Sequence, residues 1–316
     1  MAIRIYCRKI IINKPACLAE KGPLLLACNH PNSFLDSVLL NTLFDQPVWS
    51  LARGDVFKKP LFRKLLTSLK IMPVYRTSEG VENLSENYKT FEDCIALFRK
   101  NQIITIYSEG KCINEWHLRP LKKGTARLAV KAWDEQIPLR VLPVGLNYSS
   151  FTRFGKNVFI NFGEIIEQES IGEHAADGTR NLEFNNQLRK QYEKLVYEIP
   201  ANDIKQQQER LTVPVHPLLK MLLFIPGLAG WLVNIPVFLF ARRTAIKKLK
   251  EPGHYDSVVI GILLLTYPLY LLIITVLLLV LTQSSWSLLF IPLALFGAWA
   301  WVQIKPQLFP LSNAPQ

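Results

Sequence analysis

The chain has 316 residues, 49% of them hydrophobic and 20% charged, with a formal net charge of +12. Between Asp256 and Lys305 there is no Asp, Glu, Lys or Arg; a globular surface cannot be built from such a stretch, which excludes a wholly soluble protein and assigns this part to lipid. The basic balance suits anionic lipid surfaces and phosphorylated substrates, while bilayer anchoring argues against nucleic acid as a partner.

From the amino terminus, Met1–Ile12 is basic, but its apolar run is too short and broken for a secretory signal. The globular part is therefore expected in the cytosol. The cysteines at 7, 17, 28, 94 and 112 form no CxxC pair and no Cys/His cluster of zinc spacing, so they read as reduced thiols, and no metal site is expected. Leu24–Ala27, after Gly22-Pro23, is a short apolar run that predicts a buried strand. It ends at Asn29-His30-Pro31-Asn32-Ser33, where Asn32 or Ser33 can cap a helix from Phe34 to about Phe44.

A second strand is expected near Val48–Ala52, a short helix from Lys58 to Leu69, and an apolar strand at Ile71–Tyr75. Leu84, Tyr88, Phe91, Ile95 and Phe98 form one apolar stripe, which predicts a helix over about 81–100. Ile103–Tyr107 is short and β-branched and reads as strand. A helix at Gly124–Trp133 and strands at Val141–Leu146 and Val158–Phe162 follow. This alternation predicts an α/β domain over residues 1–200 with a largely parallel central sheet flanked by helices.

Residues 201–216 are polar and Gln-rich and read as a linker or connecting helix, followed by a membrane domain over 217–316. Its apolar segments are Leu218–Ala241, Val258–Leu281 and 286–303. The last two are long enough to cross a bilayer. The first is interrupted by Pro226-Gly227 and by Asn234 with Pro236, which favours a re-entrant hairpin over a span. The five basic residues of 242–250 are expected on the cytosolic side, as is the catalytic domain.

Four blocks carry candidate chemistry. In Asn29–Asp36, a His at a strand end and an Asp one to two turns on can meet across the helix start. The carboxylate would fix the ring tautomer, and the other ring nitrogen could then remove a proton from a hydroxyl, which is general-base catalysis. Taken alone, such a pair is more often a cap and a hydrogen bond. Arg76 directly follows an apolar run and can clamp a phosphate, or be a solvated loop residue. In Ser108-Glu109-Gly110-Lys111 the glycine permits close backbone approach to a ligand, and Glu109 can accept from a hydroxyl or hold a basic partner. Arg119, Lys122, Lys123 and Arg127 place positive charge around Gly124, near a helix start that attracts anions; the bland alternative is a solvated basic face. The fourth block is the apolar strand Val141–Asn147 with Pro143. His117, His174, His216 and His254 have no partner at catalytic spacing and read as surface or interfacial.

In order and spacing, the four blocks resemble the glycerolipid acyltransferase family, which includes glycerol-3-phosphate and lysophosphatidate acyltransferases. The resemblance spans roughly Pro23 to Gly163. It implies an acyltransferase-type fold followed by transmembrane helices, with His30 as general base and Asp36 as its orienting partner. Asn29, Ser33, Arg76, Glu109, Gly110, Lys111, Lys122 and Lys123 would line the substrate site. The implied reaction takes an acyl group from acyl-CoA or acyl-carrier protein to a hydroxyl of lysophosphatidate or glycerol 3-phosphate. These are co-substrates, no bound cofactor is implied, and membrane lipids are the expected partners. Two departures stand out. Five residues, Pro31 to Leu35, separate His and Asp where four are commonest, and Ser108 stands for the usual Pro with Lys111 and Cys112 in the Thr and Arg places. They leave open another lipid acceptor, such as an amino-acid lipid or a phospholipid in transacylation, and a non-catalytic lipid-binding protein.

Overall fold

The structure, a computed structural model, describes residues 2–57, 60–74, 84–172, 177–248 and 252–308. Strands and helices alternate through the first half: α1 (Ala2–Tyr6), β1 (Cys7–Ile12), β2 (Leu24–Cys28), α2 (Ser33–Leu43), β3 (Val48–Arg53), α3 (Pro60–Ser68), β4 (Ile71–Val74), α4 (Leu84–Phe98) and β5 (Ile103–Tyr107). Then come α5 (Gly124–Asp134), β6 (Arg140–Tyr148), β7 (Lys156–Phe162), α6 (Asp177–Leu195) and α7 (Ile204–Leu211). The last three helices are α8 (Pro217–Lys248), α9 (Tyr255–Thr282) and α10 (Phe290–Ile304).

The strands form one sheet in the order β1-β7-β6-β2-β5-β3-β4, parallel throughout except between β6 and β7. The expected α/β architecture with a largely parallel sheet is thus present. Cys28 lies opposite Tyr107 on one side and Val144 on the other, so the carboxyl ends of β2 and β5 are level, while β6 runs on past them to Tyr148. Open parallel sheets present ligand sites at that edge.

The two faces of β2 sort its side chains by period two. Leu25 and Ala27 pack with Ile95 and Phe98 of α4, Leu128 and Trp133 of α5, and Phe184 and Leu188 of α6. Leu24, Leu26 and Cys28 face Leu35, Leu39 and Leu40 of α2, together with Ala241 and Ala245 of α8 and Tyr255 and Val259 of α9. One face of the sheet is therefore closed in part by the apolar carboxyl-terminal helices. The expected boundary between a domain at 1–200 and one at 217–316 follows the chain, but the two share this core.

Two elements differ from expectation. β1 occupies the sheet edge although Cys7–Ile12 shows no clean alternation, because its Arg8 is 5% exposed. That guanidinium donates to Asn157 Oδ1 at 2.9 Å and to the Val213 carbonyl at 3.0 Å, so a charge is tolerated inside. The second difference is Leu218–Ala241, which runs within the single 32-residue helix α8 rather than as a hairpin. Pro226 and Pro236 both stay inside that helix, which is tied to its neighbours close to Pro236. Asn234 Nδ2 donates to the Gly230 carbonyl at 2.7 Å and to Ala294 on α10 at 3.3 Å; Tyr267 and Tyr270 of α9 donate to Asn234 Oδ1 and the Val233 carbonyl. Gly230 is a point of close helix approach: a Cβ there would lie 2.0 Å from the carbonyl carbon of Gly297.

Pro217–Lys248, Tyr255–Thr282 and Ser285–Ile304 are long and apolar enough to cross a membrane. Their outward residues are large and apolar, Ile225 and Leu281 being 77% and 78% exposed. At a rise of about 1.5 Å per residue α8 is roughly 48 Å long, well beyond a ~30 Å hydrocarbon layer. Its last turns, which carry Ala241 and Ala245, are spent on the sheet rather than in lipid.

Candidate active site

β2 delivers Asn29 and His30 to the carboxyl edge of the sheet, and α2 brings back Asp36 in its first turn. His30 Nδ1 lies 2.9 Å from Asp36 Oδ2. With Asp36 ionised, Nδ1 carries the proton and donates, which leaves the Nε2 lone pair to act on a substrate. The His30 side chain is 16% exposed while that of Asp36 is fully buried, so the ring reaches solvent and its partner does not. Asp36 also accepts from the Asn32 backbone N–H at 2.9 Å and from the Tyr148 hydroxyl at 2.6 Å. Three donors hold one carboxylate in a dry place. Burial and the facing Asp36 charge push the Tyr148 phenol well above its ordinary value, keeping it a donor.

The five intervening residues are taken up in a turn at which Ser33 adopts φ +47°, a left-handed conformation uncommon for a side chain of this kind. The imidazole stacks on Tyr107 with centroids 3.7 Å apart and 16° between planes. Tyr107 is itself fixed by a 2.6 Å hydrogen bond between its hydroxyl and Ser37 Oγ. The imidazole is thus restrained on one face and through Nδ1.

Several residues expected at the substrate site serve the frame instead. The Asn29 amide donates to the Leu146 carbonyl at 3.0 Å and accepts from the Leu146 N–H at 2.7 Å, tying the motif to β6. Glu109 accepts from the His30 N–H at 2.9 Å and the Arg119 N–H at 3.0 Å; both oxygens are engaged by backbone, and among the described residues neither faces a basic side chain at ion-pair distance. Burial raises the Glu109 carboxyl despite those two bonds. Gly110 has φ +68°, and a Cβ there would come within 3.1 Å of the Lys122 side chain. Lys111, Lys122 and Lys123 are all solvent-exposed. Arg76 lies outside the described residues.

Ser108, which stands where the family pattern has Pro, is buried. It accepts from Thr125 Oγ1 at 3.0 Å and lies 3.2 Å from the Tyr192 hydroxyl, so the replacement is fully accommodated. Ser33 Oγ lies 2.7 Å from His254 Nδ1, and the Ser33 N–H donates to Cys112 Sγ at 3.0 Å. His254 therefore sits on the motif itself and not on a remote surface. Burial pushes the Cys28 thiol well up, consistent with an inert cysteine. Tyr107, Tyr148 and His254 were not assigned catalytic roles from sequence, and Asn32, expected as a possible cap, occupies the cap position of α2 without a side-chain cap bond. The side-chain partners of these four lie 70 to 224 residues away along the chain, and no local spacing marks them.

Residues 9–147 match the family model described as Acyltransferase. Among solved structures, the 1-acyl-sn-glycerophosphate (LPA) acyltransferase PlsC from Thermotoga maritima is similar over 61% of this chain and 73% of that one, at 14% identity and a TM-score of 0.44. No curated protein matches the sequence.

Proposed function

Because residues 9–147 match the acyltransferase family model, we propose that the chain moves a fatty acyl group from acyl-CoA or acyl-carrier protein to a hydroxyl of lysophosphatidate or glycerol 3-phosphate. The observation that carries this is the His30 Nδ1 to Asp36 Oδ2 contact of 2.9 Å, with the carboxylate buried and the imidazole reaching solvent.

In this mechanism Nε2 of His30 takes the proton from the acceptor hydroxyl as its oxygen attacks the thioester carbonyl. Asp36 offsets the charge of the imidazolium that forms. Collapse of the tetrahedral intermediate breaks the C–S bond, and the departing thiolate takes the proton back from His30. The ester remains in the membrane and the free thiol leaves. The exposed Lys111, Lys122 and Lys123, with Arg76, would neutralise the acceptor phosphate, a role suited to cations beside a helix start. The basic stretch at 242–250 supports a catalytic domain facing the cytoplasm, with α8–α10 in the bilayer.

The test is to incubate the purified full chain with labelled acyl-CoA, or acyl-carrier protein, and a panel of acceptors. The panel holds lysophosphatidate, glycerol 3-phosphate, lysophosphatidylcholine and an amino-acid lipid without phosphate. Ester formation restricted to the first two, and lost in His30→Ala, is the expected result. Equal turnover of the acceptor without phosphate overturns the acceptor assignment; His30→Ala at wild-type rate overturns the mechanism.

A further inference from the structure

Asp256 stands in the first turn of an apolar helix, is 1% exposed, and has no need of charge merely to anchor α9. Its carboxylate accepts from the Tyr6 hydroxyl at 2.6 Å and from Asn32 Nδ2 at 2.7 Å, and pairs with the fully buried Lys156. Apolar side chains of similar volume commonly hold such a joint as well as a buried ion pair does. A carboxylate kept at such a joint calls for a reason beyond anchoring.

The contact to Asn32 shows what this one serves. The Asn32 side chain is bound to Asp256, while its backbone N–H donates to the same Asp36 oxygen that faces His30. The two neighbouring residues are held in the same way. Ser33 Oγ meets His254 Nδ1 at 2.7 Å, and the Phe34 N–H donates to Ser257 Oγ at 3.2 Å. Three successive residues of the catalytic turn are thus each gripped by one residue of the α9 entry. That turn contains the left-handed Ser33, a conformation that persists only where surroundings over-determine it.

We infer that the entry of α9 belongs to the apparatus that aims the catalytic pair, with Asp256 as a positioning residue acting through Asn32. This deepens, and rests on, the assignment of His30 as general base. It also makes the seating of α9 a condition of catalysis: a shift of that helix is transmitted to Asp36 through one side chain.

Asn32→Ala is the discriminating variant, because Asp256 keeps Tyr6 and Lys156 and no buried charge is orphaned. In the full chain in detergent, kcat should fall about tenfold to a hundredfold, with KM for the donor within about threefold. The downfield NMR resonance of the His30 Nδ1 proton should broaden or move. Asn32→Asp sets two carboxylates face to face and should be worse. Asn32→Ala with wild-type kcat and an unchanged Nδ1 resonance overturns the inference. If the wild-type protein turns over no acceptor but the resonance responds to Asn32→Ala, the positioning role stands and the acyltransfer reading falls.

Discussion

The Tyr148 hydroxyl donates to Asp36 Oδ1 at 2.6 Å, on the carboxylate oxygen that His30 does not use. Tyr148 is the last residue of β6, so the sheet itself sets the tilt of the carboxylate plane and hence the direction of the imidazole. Tyr148→Phe removes that donor with little change of volume. A hydrogen bond to a charged group contributes about 1.5–3 kcal/mol, so a drop in Tm and a loss of roughly three- to tenfold in kcat are expected, with KM little changed. Thermal unfolding and steady-state kinetics read the two effects separately; a variant equal to wild type in both would show that the phenol is idle.

Asp36→Asn tests the tautomer rather than the geometry. The amide has only one acceptor oxygen for three donors, His30 Nδ1, the Asn32 N–H and Tyr148. Its NH2 group would face at least one of them, or turn the ring so that Nδ1 becomes the acceptor and Nε2 holds the proton. A base so reversed cannot accept from the hydroxyl, and kcat should fall on the order of 10³- to 10⁴-fold, as for other His–Asp pairs. Residual activity above a tenth of wild type would place the base elsewhere.

The turn from β2 into α2 was legible because its signals are local. An apolar run, a cluster of cap residues and a helix start put His30 and Asp36 six positions apart, and the structure brings them together. The parallel sheet followed from alternation alone. Two features were hidden for a common reason, that their causes lie far off in the chain. β1 carries Arg8 inward, a position that reads as solvent until Asn157 and Val213 are seen to receive it. In α8, Pro226, Gly227, Asn234 and Pro236 read as breakers by the rules for water. In lipid Gly227 lets the helix approach Trp301 and Ile304 of α10, and Asn234 makes hydrogen bonds to Ala294 and Tyr267. Glu109 was placed correctly at a strand end, but its two backbone partners, His30 and Arg119, gave no sign in its own block.

Glu109 gives the fold a pH dependence of known sign. Burial holds its carboxyl above the ordinary 4.5 in the folded protein. Between the ordinary and the raised value the folded chain binds more protons than the unfolded one, so this group makes stability decline as pH rises through that window and then level off. Glu109→Gln should lower Tm where Glu109 is ionised, because His30 and Arg119 donate to different carboxylate oxygens and one of the two N–H groups would then face the amide NH2. The same substitution should also remove the decline. Melting curves for both proteins from about pH 4.5 upward separate the two effects; identical slopes would mean that the glutamate does not titrate there.

The close approach of α8 to α10 is a matter of backbone on backbone. A Cβ at Gly230 would lie 2.0 Å from the Gly297 carbonyl carbon, and one at Gly297 would lie 2.7 Å from the Gly230 Cα, so neither side has a flexible end that can yield. Gly230→Leu must therefore separate the helices. That stretches the Asn234 to Ala294 hydrogen bond, and at the far end of α10 it pulls on Gln303, whose carbonyl accepts from Arg8. Overpacking of this kind costs typically about 1–3 kcal/mol, and here it should loosen β1 as well as the helix pair. Gly261→Leu on α9 is the control, since nothing lies within 4 Å of a Cβ there. The expected pattern in detergent is a lowered Tm and faster amide exchange in Cys7–Ile12 for Gly230→Leu, and a Tm near wild type for Gly261→Leu. Equal melting of the two variants would mean that the helices do not meet at Gly230.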